Sequence, residues 1–309
     1  MSFVLARATH QTYQTAYEKG ALVPIATQAF HIVDNQIKFL VRILTKAQEK
    51  KEASSSSQQG KNPFLPYDPN LYVTDLTKTH VCLLNKFCVV PLHLLMVTKD
   101  FQPQNTLLTR EDFEAATLVL SQWEGVCFYN SCKTAGASQQ HKHLQFIPFE
   151  DNNEMVPLNY LLTHCQEQQV NALPFVHLVS RLSADWEKKE DNDEEKDIQK
   201  KTDYLVQTYY YLLNKLTSQL SHDPQLYPII SDKGKQQQPQ DSNPFPYNLI
   251  FTRQWMYIVP RSAEEWQGIA VNALGMVGTL LVKNEESLHQ LQSVGPLQLL
   301  RRVGFPREG

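Results

Sequence analysis

The sequence predicts an α+β fold, and three observations carry the prediction. Short apolar runs bounded by Asn, Lys, Pro or Gly read as strands. Between them lie segments whose apolar residues recur at helical spacing. One strand–turn–strand pattern also occurs twice, once in each half of the chain, which points to two related α+β halves.

In chain order, "HVCLLNKFCVVP" followed by "HLLMVT" (His80 to Thr98) predicts a pair of strands around Asn85-Lys86 and Pro91. "TREDFEAATLVLSQW" predicts a helix: Thr109 is a candidate N-cap with Asp112 three residues on, and Phe113, Ala116, Thr117, Leu120 and Trp123 share a face. "VCFYN" then predicts a strand, "SCKTAGAS" a loop, and "HKHLQFIP" the next strand. From Ile198 to Leu220, the spacing of Tyr204, Leu205, Leu212, Leu216 and Leu220 predicts a long amphipathic helix. "YNLIFTRQWMYIVPRS" (Tyr247 to Ser262) parallels His80 to His93: an apolar strand, a polar turn, and a second apolar strand closed by Val-Pro. The second half ends in "NALGMVG" and lacks a His-x-His, so it reads as a supporting and binding half. Three polar, low-complexity stretches read as solvated linkers or loop tips: Lys50 to Asn62, Glu187 to Asp197 and Ser231 to Asn243.

Composition excludes several function classes. The 309 residues are 42% apolar and 20% charged, ordinary for a globular protein. A formal net charge of -3 supplies no basic field for a nucleic-acid duplex, but it permits local donors to bind a small anion. The apolar run in "MSFVLARATHQTYQ" is too short for a signal peptide, and no window approaches the roughly 18–20 apolar residues of a membrane helix. The expectation is a cytoplasmic protein with no membrane partner. Five cysteines, odd in number and without a Cys-x-x-Cys, read as buried small hydrophobes.

The chemistry lies in "GASQQHKHLQF". In an extended strand, His141, His143 and Gln145 share one face, and Lys142, Leu144 and Phe146 the other. With ten histidines in the chain, the His-x-His alone is a weak signal, and three readings compete. Two strand histidines can simply satisfy their hydrogen bonds. They can bind a cation, which needs a third ligand that no nearby carboxylate or cysteine supplies at the usual spacing. Or one histidine is a nucleophile. Context favours the third reading. A small-residue loop lets backbone N–H groups converge on an anion, and Gln145 can donate to a phosphate oxygen while uncharged. Neutral histidine carries a ring lone pair near physiological pH.

"GASQQHKHLQ" resembles the motif of the histidine-triad superfamily in its transferase branch. The longer series "LLNKFCVVPLHLLMVT", "FYNSCKTAGASQQHKHLQFIP", "YNLIFTRQWMYIVPRS" and "VNALGMVGTLLVKN" is similar to the ATP adenylyltransferases, also called diadenosine tetraphosphate phosphorylases. The resemblance runs from about residue 30 to residue 306. It implies a mostly antiparallel sheet with flanking helices, in which two histidine-triad-like halves form one compact unit. Residues 1–62 would be an N-terminal helical region and linker, 63–186 the catalytic half, and 187–309 a C-terminal half completing the nucleotide site. The implied reaction is diadenosine tetraphosphate plus phosphate giving ATP plus ADP, reversibly. His143 would attack the α-phosphorus and carry the nucleotidyl group. His141 would orient the site, with its carbonyl facing the His143 ring N–H. Gln145 stands where the hydrolase branch has a third histidine; it cannot exchange a proton near neutral pH, which favours transfer to an anion over transfer to water.

Matched by position, the resemblance implies that Asn85 and Lys86 contact nucleotide and that Asn130 holds ribose or phosphate. Gly136, Ala137, Ser138 and Gln139 would form a phosphate-cradling loop. Asn272, Ala273, Leu274, Thr279 and Lys283 would close over the polyphosphate, and Lys50 would be a further phosphate contact. No metal site or tightly bound cofactor is implied; a divalent cation such as magnesium would assist by screening phosphate charge. The hexose-1-phosphate uridylyltransferases carry a proline between the histidines and often zinc-ligand cysteines, so Lys142 and the absent Cys-x-x-Cys argue against that branch. A nucleoside-diphosphate-sugar phosphorylase and a non-catalytic nucleotide-binding protein are the alternative readings.

Overall fold

The computed structural model describes residues 4–45, 62–149, 153–182, 186, 194–221 and 243–307. Lys50 and nearly all of the three polar stretches lie outside them. The elements run α1 (Val4–Glu18), β1 (Thr27–Asp34), β2 (Ile37–Leu44), β3 (Tyr72–Asp75), β4 (His80–Leu84) and β5 (Leu94–Thr98). Next come α2 (Arg110–Gln122), β6 (Gly125–Asn130), β7 (His143–Pro148), α3 (Asn159–Thr163), β8 (Leu178–Arg181) and α4 (Glu194–Ser221). The chain ends with β9 (Tyr247–Phe251), β10 (Trp255–Pro260), β11 (Glu265–Trp266), β12 (Ile269–Ala270), α5 (Ala273–Met276), β13 (Thr279–Val282), α6 (Glu285–Val294) and α7 (Pro296–Val303).

Eight antiparallel strands form one sheet in the order β3-β4-β5-β7-β6-β9-β10-β8. The two halves meet at β6 and β9, where Cys127 pairs with Phe251 and Asn130 with Asn248. A smaller sheet, β1-β2-β13, joins the N-terminal strands to the C-terminal region, with β13 parallel to β2. The large sheet is buried on both faces. Leu144, Phe146, Phe113 of α2 and Leu212 of α4 share one core; Ile147, Trp255, Phe39 and Leu300 belong to the other. This double burial is why β9 and β10 read as continuous apolar runs rather than alternating ones.

The helix starts follow local chemistry. The Thr109 N–H donates to Asp112 Oδ2 at 2.7 Å, the expected N-terminal arrangement of α2. Helix α4 begins at Glu194, inside the stretch expected to be a linker; Glu194, Glu195 and Asp197 occupy its first turn, where negative charge complements the helix dipole.

The parallel between the two strand–turn–strand segments does not hold residue by residue. Val259-Pro260 closes strand β10, but Val90-Pro91 lies in a loop, and the partner strand begins only at Leu94. The N-terminal segment captures this loop: the Val23 N–H donates to Lys86 O at 2.8 Å and the Ile25 N–H to Cys88 O at 2.9 Å. Leu92, at φ 58°, then breaks the extended run.

Candidate active site

Strand β7 opens at His143, buried between the sheet and the ring of Phe64, whose centroid lies 5.4 Å away. The His143 Nδ1–H donates to the carbonyl of His141 at 2.8 Å, which leaves Nε2 with its lone pair free. Burial pushes the His143 imidazole down from 6.5 to about 4, outweighing the hydrogen bond to His141 O. The ring is therefore neutral at physiological pH. His141 donates from Nε2 to Thr98 O at 2.8 Å, and its Nδ1 accepts from Asn62 Nδ2 at 3.0 Å. Its ring serves as a strut, and its carbonyl sets the tautomer of His143.

On the opposite face Lys142 is fully buried. Its Nζ lies 2.6 Å from Asp112 Oδ2 and donates to Leu107 O at 2.7 Å. His80 Nε2–H donates to Asp112 Oδ1 at 3.0 Å. Burial pushes Asp112 upward, but the His80 hydrogen bond and the Lys142 charge outweigh it and hold the carboxyl below its ordinary range. The alternation in "HKHLQF" thus has a purpose on both sides: the histidines face the site, and Lys142 bolts the strand to α2.

Gln145 lines a cavity of about 460 Å³. Its Oε1 accepts from His93 Nε2–H at 2.9 Å, while His93 Nδ1 accepts from Asn85 Nδ2 at 3.2 Å. Burial pushes His93 down to about 4, so it stays neutral with its proton on Nε2. This chain fixes the amide of Gln145 with its NH2 group available to the cavity. Asn130 is fixed in the same sense: its Oδ1 accepts from Asn248 Nδ2 at 2.8 Å and from the Ala273 N–H at 2.9 Å.

Of the expected site residues, Asn85, Asn130, Gly136, Ser138 and Gln145 line this cavity from the first half, and Asn272, Leu274, Thr279 and Lys283 from the second. Lys86, Ala137, Gln139, His141, His143 and Ala273 lie outside its lining, and Lys50 lies outside the described residues. Gly136 joins the halves. At φ 89° it caps a 3-10 turn, and a Cβ there would stand 2.9 Å from Asn272 Cα.

In the loop expected to cradle phosphate, two of the four backbone amides are used within the turn. The Gly136 N–H donates to Lys133 O and the Ala137 N–H to Cys132 O, at 2.8 and 3.0 Å, so the turn itself uses both. The Ser138 and Gln139 amides keep no protein acceptor among the described residues. Thr279 likewise donates its hydroxyl to Met155 O at 2.9 Å, and Asn272 Oδ1 caps α5 by accepting from Leu274 N at 3.0 Å.

Sequence reasoning missed Gln104, His93 and Arg42. Buried Gln104 accepts the His143 N–H at 2.9 Å and donates to Asn130 O at 2.8 Å, tying β7 to β6; its loop, "QPQN", has no signature. Arg42, which lines the cavity, is the one cation inside the apolar run "FLVRIL", and that was a legible signal. Among the described residues it meets only Thr27 Oγ1 at 3.2 Å and the sulfur of Met155 at 3.8 Å. Its buried Nε is unpartnered, and burial lowers its pKa.

A neutral histidine with a bare ring nitrogen, next to a cavity walled by fixed amide donors, is the apparatus of a phosphoryl-handling enzyme. Residues 2–164 match the family model for the Ap4A phosphorylase N-terminal domain, and residues 171–306 that for the ATP adenylyltransferase C-terminal domain. The chain belongs to the Ap4A phosphorylase family. It is 28% identical over 335 residues to diadenosine 5',5'''-P1,P4-tetraphosphate phosphorylase 2 of Saccharomyces cerevisiae, covering 98% of this chain and 95% of that protein. It is 27% identical over 332 residues to the protein APA1 of the same yeast, covering 98% and 94%. The fold is similar to the crystal structure of yeast Ap4A phosphorylase Apa2, with a TM-score of 0.76 and 25% identity over 99% of this chain and 95% of that one. The crystal structure of Apa2 in complex with Ap4A matches with a TM-score of 0.75 at 24% identity, a likeness of fold.

Proposed function

We propose that the chain catalyses the reversible phosphorolysis of diadenosine tetraphosphate to ATP and ADP; one yeast relative is named a diadenosine tetraphosphate phosphorylase. The observation that carries the mechanism is the state of His143: neutral, with Nδ1–H held by the His141 carbonyl and Nε2 bare. Nε2 attacks an α-phosphorus, an N–P bond forms, and the bond to the bridging oxygen breaks to release ATP. An oxygen of inorganic phosphate then attacks the same phosphorus, the N–P bond breaks, and ADP leaves. The His141 carbonyl supports the positive charge that develops on the ring during attack. Gln145 donates its NH2 to a phosphoryl oxygen and has no proton to exchange, so the nucleotidyl-histidine awaits an anion rather than activating water. Asn130, Ser138 and Lys283 supply further donors around the spread phosphate charge.

A divalent cation would arrive on the substrate phosphates; among the described residues no group of three His, Cys, Asp or Glu side chains could hold one. No described helix is long and apolar enough to cross a membrane, and a cytoplasmic setting suits these water-borne substrates. Product analysis of diadenosine tetraphosphate with and without inorganic phosphate tests the reaction. Phosphate-dependent, equimolar ATP and ADP is the expected result; release of AMP and ATP without phosphate would refute the transferase reading.

A further inference from the structure

Arg261 is buried to 1% exposure, yet no carboxylate among the described residues pairs with it. Its acceptors are neutral. Nε donates to Val303 O at 3.1 Å, and Nη2 to Ala263 O at 2.7 Å and more weakly to Glu264 O. Nη1 donates to Val271 O at 2.8 Å and to Asn248 Oδ1 at 2.7 Å, the one side chain in the set. That last bond has a direction. A guanidinium only donates, so it forces the carbonyl end of Asn248 toward itself and the NH2 end away. Asn248 Nδ2 then donates to Ala135 O at 2.7 Å and to Asn130 Oδ1 at 2.8 Å. The Ala273 N–H reaches the same Asn130 oxygen. With its carbonyl taken twice, Asn130 can turn only NH2 toward the cavity it lines, and no described residue accepts from that group.

We propose that Arg261 is a positioning residue: through Asn248 it fixes the polarity of Asn130, making it a donor to a phosphoryl oxygen of the substrate. The inference rests on the proposed function for the identity of that oxygen. An asparagine free to flip would present its carbonyl half the time and repel a phosphate; a buried cation two side chains away removes that freedom. Arg261 touches no substrate, and its effect passes through the relay.

The test is a double-mutant cycle on kcat/KM for diadenosine tetraphosphate, with melting temperature read in parallel. A hydrogen bond to a charged group corresponds to about 10- to 100-fold, the loss expected for Asn130→Ala. Arg261→Met alone should lose about 10-fold, but less than about 3-fold when added to Asn130→Ala, because the relay then has nothing left to orient. Multiplicative losses, or an Arg261→Met protein with unchanged kcat/KM, would overturn the proposal. Where Arg261→Met does not fold, Asn248→Asp serves. It keeps the volume and the Arg261 contact but cannot donate to Asn130 Oδ1, so only the Ala273 N–H still holds that oxygen and the amide loses half of what fixes its polarity. Its loss should also vanish on the Asn130→Ala background, and a loss that persists there would count against the relay. Absence of phosphorolysis in the unaltered protein would instead indict the proposed function, so the two failures are distinguishable.

Discussion

The contact between Gly136 and Asn272 makes a sharp prediction, because a second glycine supplies its control. Gly136 sits at φ 89° and Gly20 at φ 70°, so alanine is strained at both, by about 1–2 kcal/mol. They differ in what the new methyl meets. At Gly20, just past α1, nothing lies within 4 Å. At Gly136 the Cβ would stand 2.9 Å from both Cα and Cβ of Asn272 and 3.0 Å from Val271 O. Carbon atoms rest at about 3.5–4.0 Å, so the loop and the Asn272 segment must separate by about 0.5–1 Å. That shift would stretch the 2.9 Å bond from the Ala273 N–H to Asn130 Oδ1 beyond hydrogen-bonding range and open the seam between the two halves of the cavity. Gly20→Ala should therefore lower the melting temperature by a few degrees and leave kcat/KM unchanged. Gly136→Ala should lower it further and cost about 10- to 100-fold in kcat/KM, chiefly through KM. The assay is steady-state phosphorolysis with thermal unfolding on both variants. Equal behaviour of the two would refute the claim that this seam builds the site.

Other consequences follow from the same geometry. Burial lowers His93, His143 and His177 from 6.5 to about 4, so between those values the unfolded chain binds more protons than the folded one. Stability should fall as pH drops from about 6.5 to about 4; urea midpoints across that window should show it, while kcat/KM should reveal no His143 titration above about pH 5.5. Gln145→Glu keeps an acceptor for His93 but turns a carboxylate toward phosphate, so kcat/KM should fall at least about 100-fold, and a smaller loss would mean Gln145 does not face the phosphoryl group. Lys142→Met leaves Asp112 buried without its cation and should destabilise by about 3–5 kcal/mol; the double variant with Asp112→Leu should recover part of that in urea unfolding.

What was legible in the sequence was local. The cap at Thr109 and Asp112, the alternation in "HKHLQF" and the period of α4 each depend on residues within a few positions, so pattern alone locates them. Strand β13 escaped because it joins β2 across nearly the whole chain and takes its form from that pairing, whereas β1 and β2 are a local hairpin closed by Asn35-Gln36, a turn signal the sequence reading passed over. The site divides the same way. Residues that can donate to a phosphate, such as Gln145 and Asn130, carry their chemistry in their own side chains, and motif position finds them. What makes each a donor is which way its amide is turned, and that is decided by His93 for Gln145 and by Asn248 together with the Ala273 N–H for Asn130. An amide offers an acceptor and a donor from almost the same shape, so composition and spacing cannot say which end faces the ligand. The neutral tautomer of His93 and the permanent cation of Arg261 break that symmetry in opposite ways, one by donating a single ring proton, the other by having no acceptor at all. Two different sources of polarity converge on one result, a cavity wall of NH2 groups. That convergence is what the proposed anion site requires beyond a merely polar pocket, and it exists only once residues far apart in the chain have met.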